Sequence, residues 1–300
     1  MADLRSRVPG QSLMEQTLAL HPQGFTTPSG EALSWYRGAL GEIAVAGVLS
    51  YLDADWAVLH SVPVGTNGAD IDHVVIGPPG VFTINTKSHP RQDLWIGGFG
   101  LIVGGHKTNY VNKAAFEAER ADSLLAAGVG FTVPVTPLIV FVNPGTRTTK
   151  APPEKGVQVL ADWELLHFLQ TQRREFSQEQ VQRIAFAAAR PETWNASPTS
   201  VLTSQKTILQ FNAIVARSLQ GAQPAPIEGG APAGAPATAA PPMRRRAPST
   251  SSTPARRRPP RRRAKRSPAE ALVKVALTLG GLWIFLTVVI PTMLAEMSTP

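Results

Sequence analysis

After about residue 220 the chain stops supplying side chains from which a core could be built. Residues 221–268 read GAQPAPIEGGAPAGAPATAAPPMRRRAPSTSSTPARRRPPRRRAKRSP, dominated by Pro, Ala, Gly, Ser and Arg, with Ile227 and Met243 as large apolar side chains. Such a stretch cannot bury enough apolar surface to offset the entropy of ordering it. An extended, partly polyproline linker is expected over 220–268. Val275 to Leu294 then runs without a single charge, about the 20 residues needed to cross a hydrocarbon layer. A transmembrane helix is expected over 272–294. Any globular domain must therefore be made by the residues before 220.

Charge divides at the same place. The chain carries +8 overall, but residues 1–227 hold 17 Lys/Arg against 18 Asp/Glu, a net of −1. The basicity sits in Arg244–Arg246, Arg256–Arg258, Arg261–Arg263, Lys265 and Arg266, just ahead of the apolar run. By the positive-inside rule this arrangement predicts a single-pass protein of the cell membrane with its N-terminal domain in the cytoplasm. The arginines have three readings: the topogenic signal alone, anionic lipid binding beside the span, or sequence-independent contact with nucleic-acid phosphates. The chain has no cysteine, which excludes disulfides, zinc-thiolate sites and thiol nucleophiles. The start, MADLRSRVPGQSLMEQTLAL, has no continuous apolar stretch, so no cleaved signal peptide is expected.

Residues 1–35 read as a loosely ordered lead-in. RGALGEIAVAGVLSYL places Leu40, Ile43, Ala44, Gly47, Val48 and Tyr51 at helical spacing, with Glu42 in the first turn. WAVLHSVPV, IDHVVIG and GVFTINTK read as strands, the last two paired around Pro78-Pro79-Gly80. Short strands follow near 94–96 and 101–103, then a helix over 112–128. VPVTPLIVFV is apolar enough for a strand covered on both faces. A strand and helix with Asp162 as N-cap, and a helix over 177–190 stopped by Pro191, complete an α/β core.

In the hairpin, side chains two apart share a face, so Asn85 and Lys87 point together and the turn can set Asp72 opposite them. An acid, a second oxygen ligand and a lysine at one sheet edge suit metal-assisted hydrolysis. Two oxygens, from Asp72 and Asn85, hold Mg²⁺, which keeps several waters, and Glu42 from the preceding helix is expected to complete the metal site. The metal polarises a phosphodiester and acidifies a bound water, and the lysine offsets phosphate charge.

GALGEIAVAGVLSYL followed by GADIDHVVIGPPGVFTINTKSH resembles the nuclease-related domain (NERD) family, itself related to the PD-(D/E)xK nucleases. Gly41-Glu42, Ile71-Asp72-His73, Gly80-Val81-Phe82 and Lys87 carry the likeness, in order and spacing. The resemblance covers roughly 36–145, within a domain expected over 36–195. It implies a restriction-endonuclease-like fold, α/β with a mixed central sheet flanked by helices. It further implies Mg²⁺- or Mn²⁺-dependent cleavage of DNA or RNA, with Asp72 as metal ligand, Lys87 as catalytic lysine and Glu42 as supporting acid. The chain departs from the family at Asn85, where the acid of acid-x-Lys is expected. An amide oxygen still binds a hard cation, but one negative charge is lost.

Ordinary readings stand beside these. Asp70 and Asp72 next to a turn are commonly solvated, Lys87 can guard a sheet edge, and Glu42 can serve the helix dipole. His73 points away from Asp72, and His89 before Pro90 reads as an exposed loop residue. Lys113, Glu117 and Arg120 form a stripe of helix-surface charges. The alternative function is a catalytically inactive nucleic-acid-binding or scaffolding module at the inner face of the membrane.

Overall fold

The computed structural model describes residues 3–22, 28–65, 68–98, 100–197 and 205–220. Both the linker and the apolar run expected to cross a membrane lie outside them. Among the described residues no helix is long and apolar enough to span a bilayer.

Helices α1 (Gln11–Leu20) and α2 (Gly30–Leu49) precede strands β1 (Ala57–Pro63), β2 (Asp70–Gly77) and β3 (Gly80–Lys87). Three short strands follow, β4 (Leu94–Gly98), β5 (Gly100–Val103) and β6 (His106–Thr108), then α3 (Tyr110–Val129) and β7 (Val135–Phe141). Next come β8 (Arg147–Pro153), β9 (Gln158–Ala161), α4 (Asp162–Thr171), α5 (Gln178–Ala188) and α6 (Gln205–Gln220). The main sheet runs β1-β2-β3-β7-β9. Its first three strands are antiparallel neighbours, whereas β7 lies parallel to β3 and β9 parallel to β7. It is a mixed sheet flanked by helices. The short strands belong to a second sheet, β6-β5-β4-β8.

Alternation along the strands fills both faces of the main sheet. Val74, Ile76 and Val81 pack with Leu125, Ile184 and Trp194 on the side of α3 and α5. Val75, Phe82, Ile84, Leu138 and Val140 pack with Val45, Leu49, Leu165 and Leu169 on the side of α2 and α4. This double burial explains the near-continuous apolar run of β7. Gly77 is set by contact, because a Cβ there would lie 2.2 Å from the Trp56 ring.

Two expectations are corrected. The described residues before 36 are not a loose lead-in. Leu4 is buried in the α3/α5 core, and α1 packs through Met14 against Tyr36, Ala39, Phe211 and Ile214. The mixed polar sequence there hides an apolar stripe that only α2 and α6 complete. Glu42 is likewise not in a first turn, since α2 begins at Gly30, twelve residues earlier. The dipole account of Glu42 therefore fails, because that field fades beyond the first turn.

His73 faces away from Asp72, as expected, and meets His60 of β1. Their Nδ1 atoms are 2.9 Å apart, with the rings edge-on. Burial lowers both rings below the usual imidazole range, His60 to about 4. A proton added to the neutral pair would aim two N–H groups at each other. Because the folded His60 resists a proton that the unfolded chain accepts near pH 6.5, it costs stability as pH falls from there towards 4. His60→Asn keeps an acceptor for His73 without this liability. The variant should gain about 2 kcal/mol on the native chain between about pH 7 and pH 4. Denaturant unfolding at the two pH values measures the gain, and parallel pH profiles would refute it.

Candidate active site

The ends of β2 and β3 bring the hairpin residues together. Asp72 Oδ2 accepts a hydrogen bond from the Thr86 backbone N–H at 2.6 Å, which ties it to the strand segment carrying Asn85 and Lys87. Lys87 Nζ donates to Asn85 Oδ1 and, at 3.0 Å, to the Thr86 carbonyl. It also lies 5.0 Å from the centre of the Tyr110 ring, a favourable place for a cation. His89 is not merely exposed. Its Nε2 is 3.0 Å from the Tyr110 hydroxyl, and the two rings stack.

The β1–β2 ladder opens beside Asp72. His60 pairs with His73 and Val62 with Ile71, while Ser61, opposite Asp72 in register, has φ 45°. Left-handed backbone at a buried serine is strained. It releases Ser61 to the N-terminal segment: its carbonyl accepts from Arg7 Nε at 2.6 Å and its Oγ from Gln11 N at 3.1 Å. Glu42 closes the same corner, where its Oε2 accepts from Gly10 N at 3.0 Å and it is only 4 % exposed. Asp70 hydrogen-bonds Ser12 and feels Arg7.

One residue of the site was missed by sequence reasoning. Glu117 does not serve a surface charge stripe. α3 crosses the sheet face that carries Asn85, and both Glu117 oxygens accept from Asn85 Nδ2, at 3.0 and 2.8 Å. Its place between buried Ala114 and Ala118 is the signal that could have found it, because it puts Glu117 beside the helix's inward stripe.

The electrostatics are those of crowded carboxylates. Burial raises Asp72 to about 7, against the downward pull of Lys87 and the Thr86 N–H. Burial, then Asp72 and Asp70, push Glu42 well above the carboxylate range. Burial also raises Glu117, opposed by Asn85 and Lys87. Asp72 feels Glu117 and Lys87, and a divalent cation beside this pair of carboxylates would offset their mutual repulsion. Among the described residues no three or more His, Asp or Glu side chains are grouped to hold a metal. Mg²⁺ needs less, since one or two carboxylates, waters and a substrate phosphate suffice. On that chemistry the residues fit a hard cation.

Residues 37–142 match the family model described as nuclease-related domain, NERD. Over this segment the chain is similar to the nuclease-related domain family. No curated protein and no solved structure matches it. The NERD match takes in most of α2, all of β1 to β7 and α3, and with them Glu42, Asp72, Asn85, Lys87 and Glu117. It leaves out β9, α4 and α5, although these complete the main sheet and cover it.

Proposed function

We propose that the NERD domain of this chain is a Mg²⁺- or Mn²⁺-dependent phosphodiesterase acting on DNA or RNA. In this reading residues 272–294 anchor it in the cell membrane, with the domain on the cytoplasmic side and Arg244–Arg266 against anionic lipid or nucleic-acid phosphates. The observation that carries the catalytic part is the joining of Asp72 to the Asn85–Lys87 strand through the Thr86 N–H, inside a nuclease-related segment.

A bound divalent cation would supply polarisation of the phosphodiester and a more acidic water. The chain's own groups do the rest. Asp72, fixed through one oxygen by Thr86, holds its carboxylate at the edge of the site. Lys87 is held by Asn85 and the Thr86 carbonyl, so its ammonium arrives pre-oriented to offset charge developing on the phosphate. Glu42, sealed behind Gly10 and Ser61, is a supporting acid whose own proton is retained through burial and the nearby Asp72 charge.

One observation favours the second reading, an inactive nucleic-acid-binding or scaffolding module: the Asn85 oxygen is already occupied by Lys87. Cleavage decides between them. The full-length chain in detergent with Mn²⁺ should nick plasmid DNA or cut RNA. Lys87→Ala should lower the rate by about 10²-fold or more, the scale of losing one preorganised charge stabiliser. Activity that Lys87→Ala leaves unchanged would come from elsewhere and sink the enzymatic reading.

A further inference from the structure

The amide at position 85 takes one charge from the hairpin, yet the surroundings of Asn85 are not short of carboxylate. Glu117 accepts twice from its Nδ2, while Lys87 donates to its Oδ1. These partners fix which way the amide points. An ammonium only donates and a carboxylate only accepts, so a reversed Asn85 would set donor against donor and acceptor against acceptor.

Glu117 differs from Glu42 in access. Glu42 is sealed under the N-terminal segment, whereas Asp72, Asn85, Lys87 and Glu117 all keep partial contact with solvent. A hydrated cation can reach the second set and not the first. The hydrogen-bond partner of Glu117 is a neutral amide, and among the described residues Lys87 and Lys113 attract it without closing an ion pair.

We propose that Glu117 is the second carboxylate of the cation site, standing in from α3 for the acid absent at position 85. Asn85 is then a positioning residue that holds Glu117 on one side and Lys87 on the other. The proposal rests on the functional reading above and names the ligand pair within it, Asp72 with Glu117.

The test is Mn²⁺ titration calorimetry on the full-length chain in detergent, which needs no turnover. Glu117→Gln keeps the shape and removes the charge, and should weaken Mn²⁺ binding by at least about tenfold. The double change N85D/E117Q exchanges amide and carboxylate across the same hydrogen bond and should restore binding. A merely structural Glu117 would predict neither result. Unchanged affinity in Glu117→Gln, or a double variant that folds and stays weak, overturns the proposal while leaving the nuclease reading standing if Asp72→Ala alone abolishes binding. A native chain that takes up no Mn²⁺ sinks both. Thermal unfolding in EDTA identifies any variant that has not folded. If Glu117→Gln alone fails that check, the double variant carries the test: native-like affinity supports the proposal, and weak affinity overturns it.

Discussion

Asp72→Asn should abolish metal-dependent cleavage and, with metal removed, make the protein more stable. The Asp72 carboxyl rises from 3.8 to about 7 on folding, chiefly through burial. Between those values the unfolded chain has released a proton that the folded one retains, so folding loses stability as pH climbs through the window. An amide escapes this cost and can still accept from the Thr86 N–H. Allowing for the solvent contact that Asp72 retains, the gain should be about 2 kcal/mol near pH 8 and close to nothing below pH 4. Adding Mn²⁺ should stabilise the native chain and leave the variant unmoved, because a cation binds only where its ligand charge remains. Denaturant unfolding in EDTA and in Mn²⁺ reads both effects. A variant no more stable than the native chain near pH 8 would show that Asp72 is not held against its charge.

The second large effect lies outside the NERD match. Trp194 is fully buried among Leu59, Val62, Leu125 and Ile184, and its Nε1 donates to the Ala188 carbonyl at 2.8 Å. Its own carbonyl accepts from Gly65 N at 2.9 Å, just ahead of β2. Trp194→Ala removes the ring from a core that spans the sheet, α3 and α5. A loss of about 3–5 kcal/mol is expected, the range for emptying a large aromatic site. Equilibrium unfolding in urea measures it. A loss below about 1 kcal/mol would mean that this core collapses around the gap, or that the segment after α5 is not part of the cooperative unit.

Local sequence made the hairpin legible. Pro78-Pro79-Gly80 between two alternating runs sets turn and register together, and a parity rule then puts Asn85 with Lys87 and His73 away from Asp72. The double-sided burial of β7 was legible for the same reason, as an apolar run needs no partner named to be recognised. The stripe of α2 was less so. Helical spacing pointed to Leu40, Ile43 and Val48, but from residue 40 on the buried positions are Gly41, Glu42, Val45, Ala46 and Leu49. The helix is enclosed on two sides, by the sheet and by α1 with α6, so periodicity alone cannot say which stripe is deepest.

What the sequence by itself determined is therefore the local material: the order of helices and strands through the NERD segment, the hairpin's facing, the acid and lysine it carries, and the loss of a charge at Asn85. Tertiary structure decided the rest. It drew the N-terminal segment over Glu42, opened the ladder at Ser61, and turned Glu117 from a surface position to a hydrogen-bond partner of Asn85. Periods of two and of 3.6 report how neighbours along the chain share a face. The approach of α3 to the end of β3 depends on how a sheet and its covering helices pack, and no spacing along the chain encodes it.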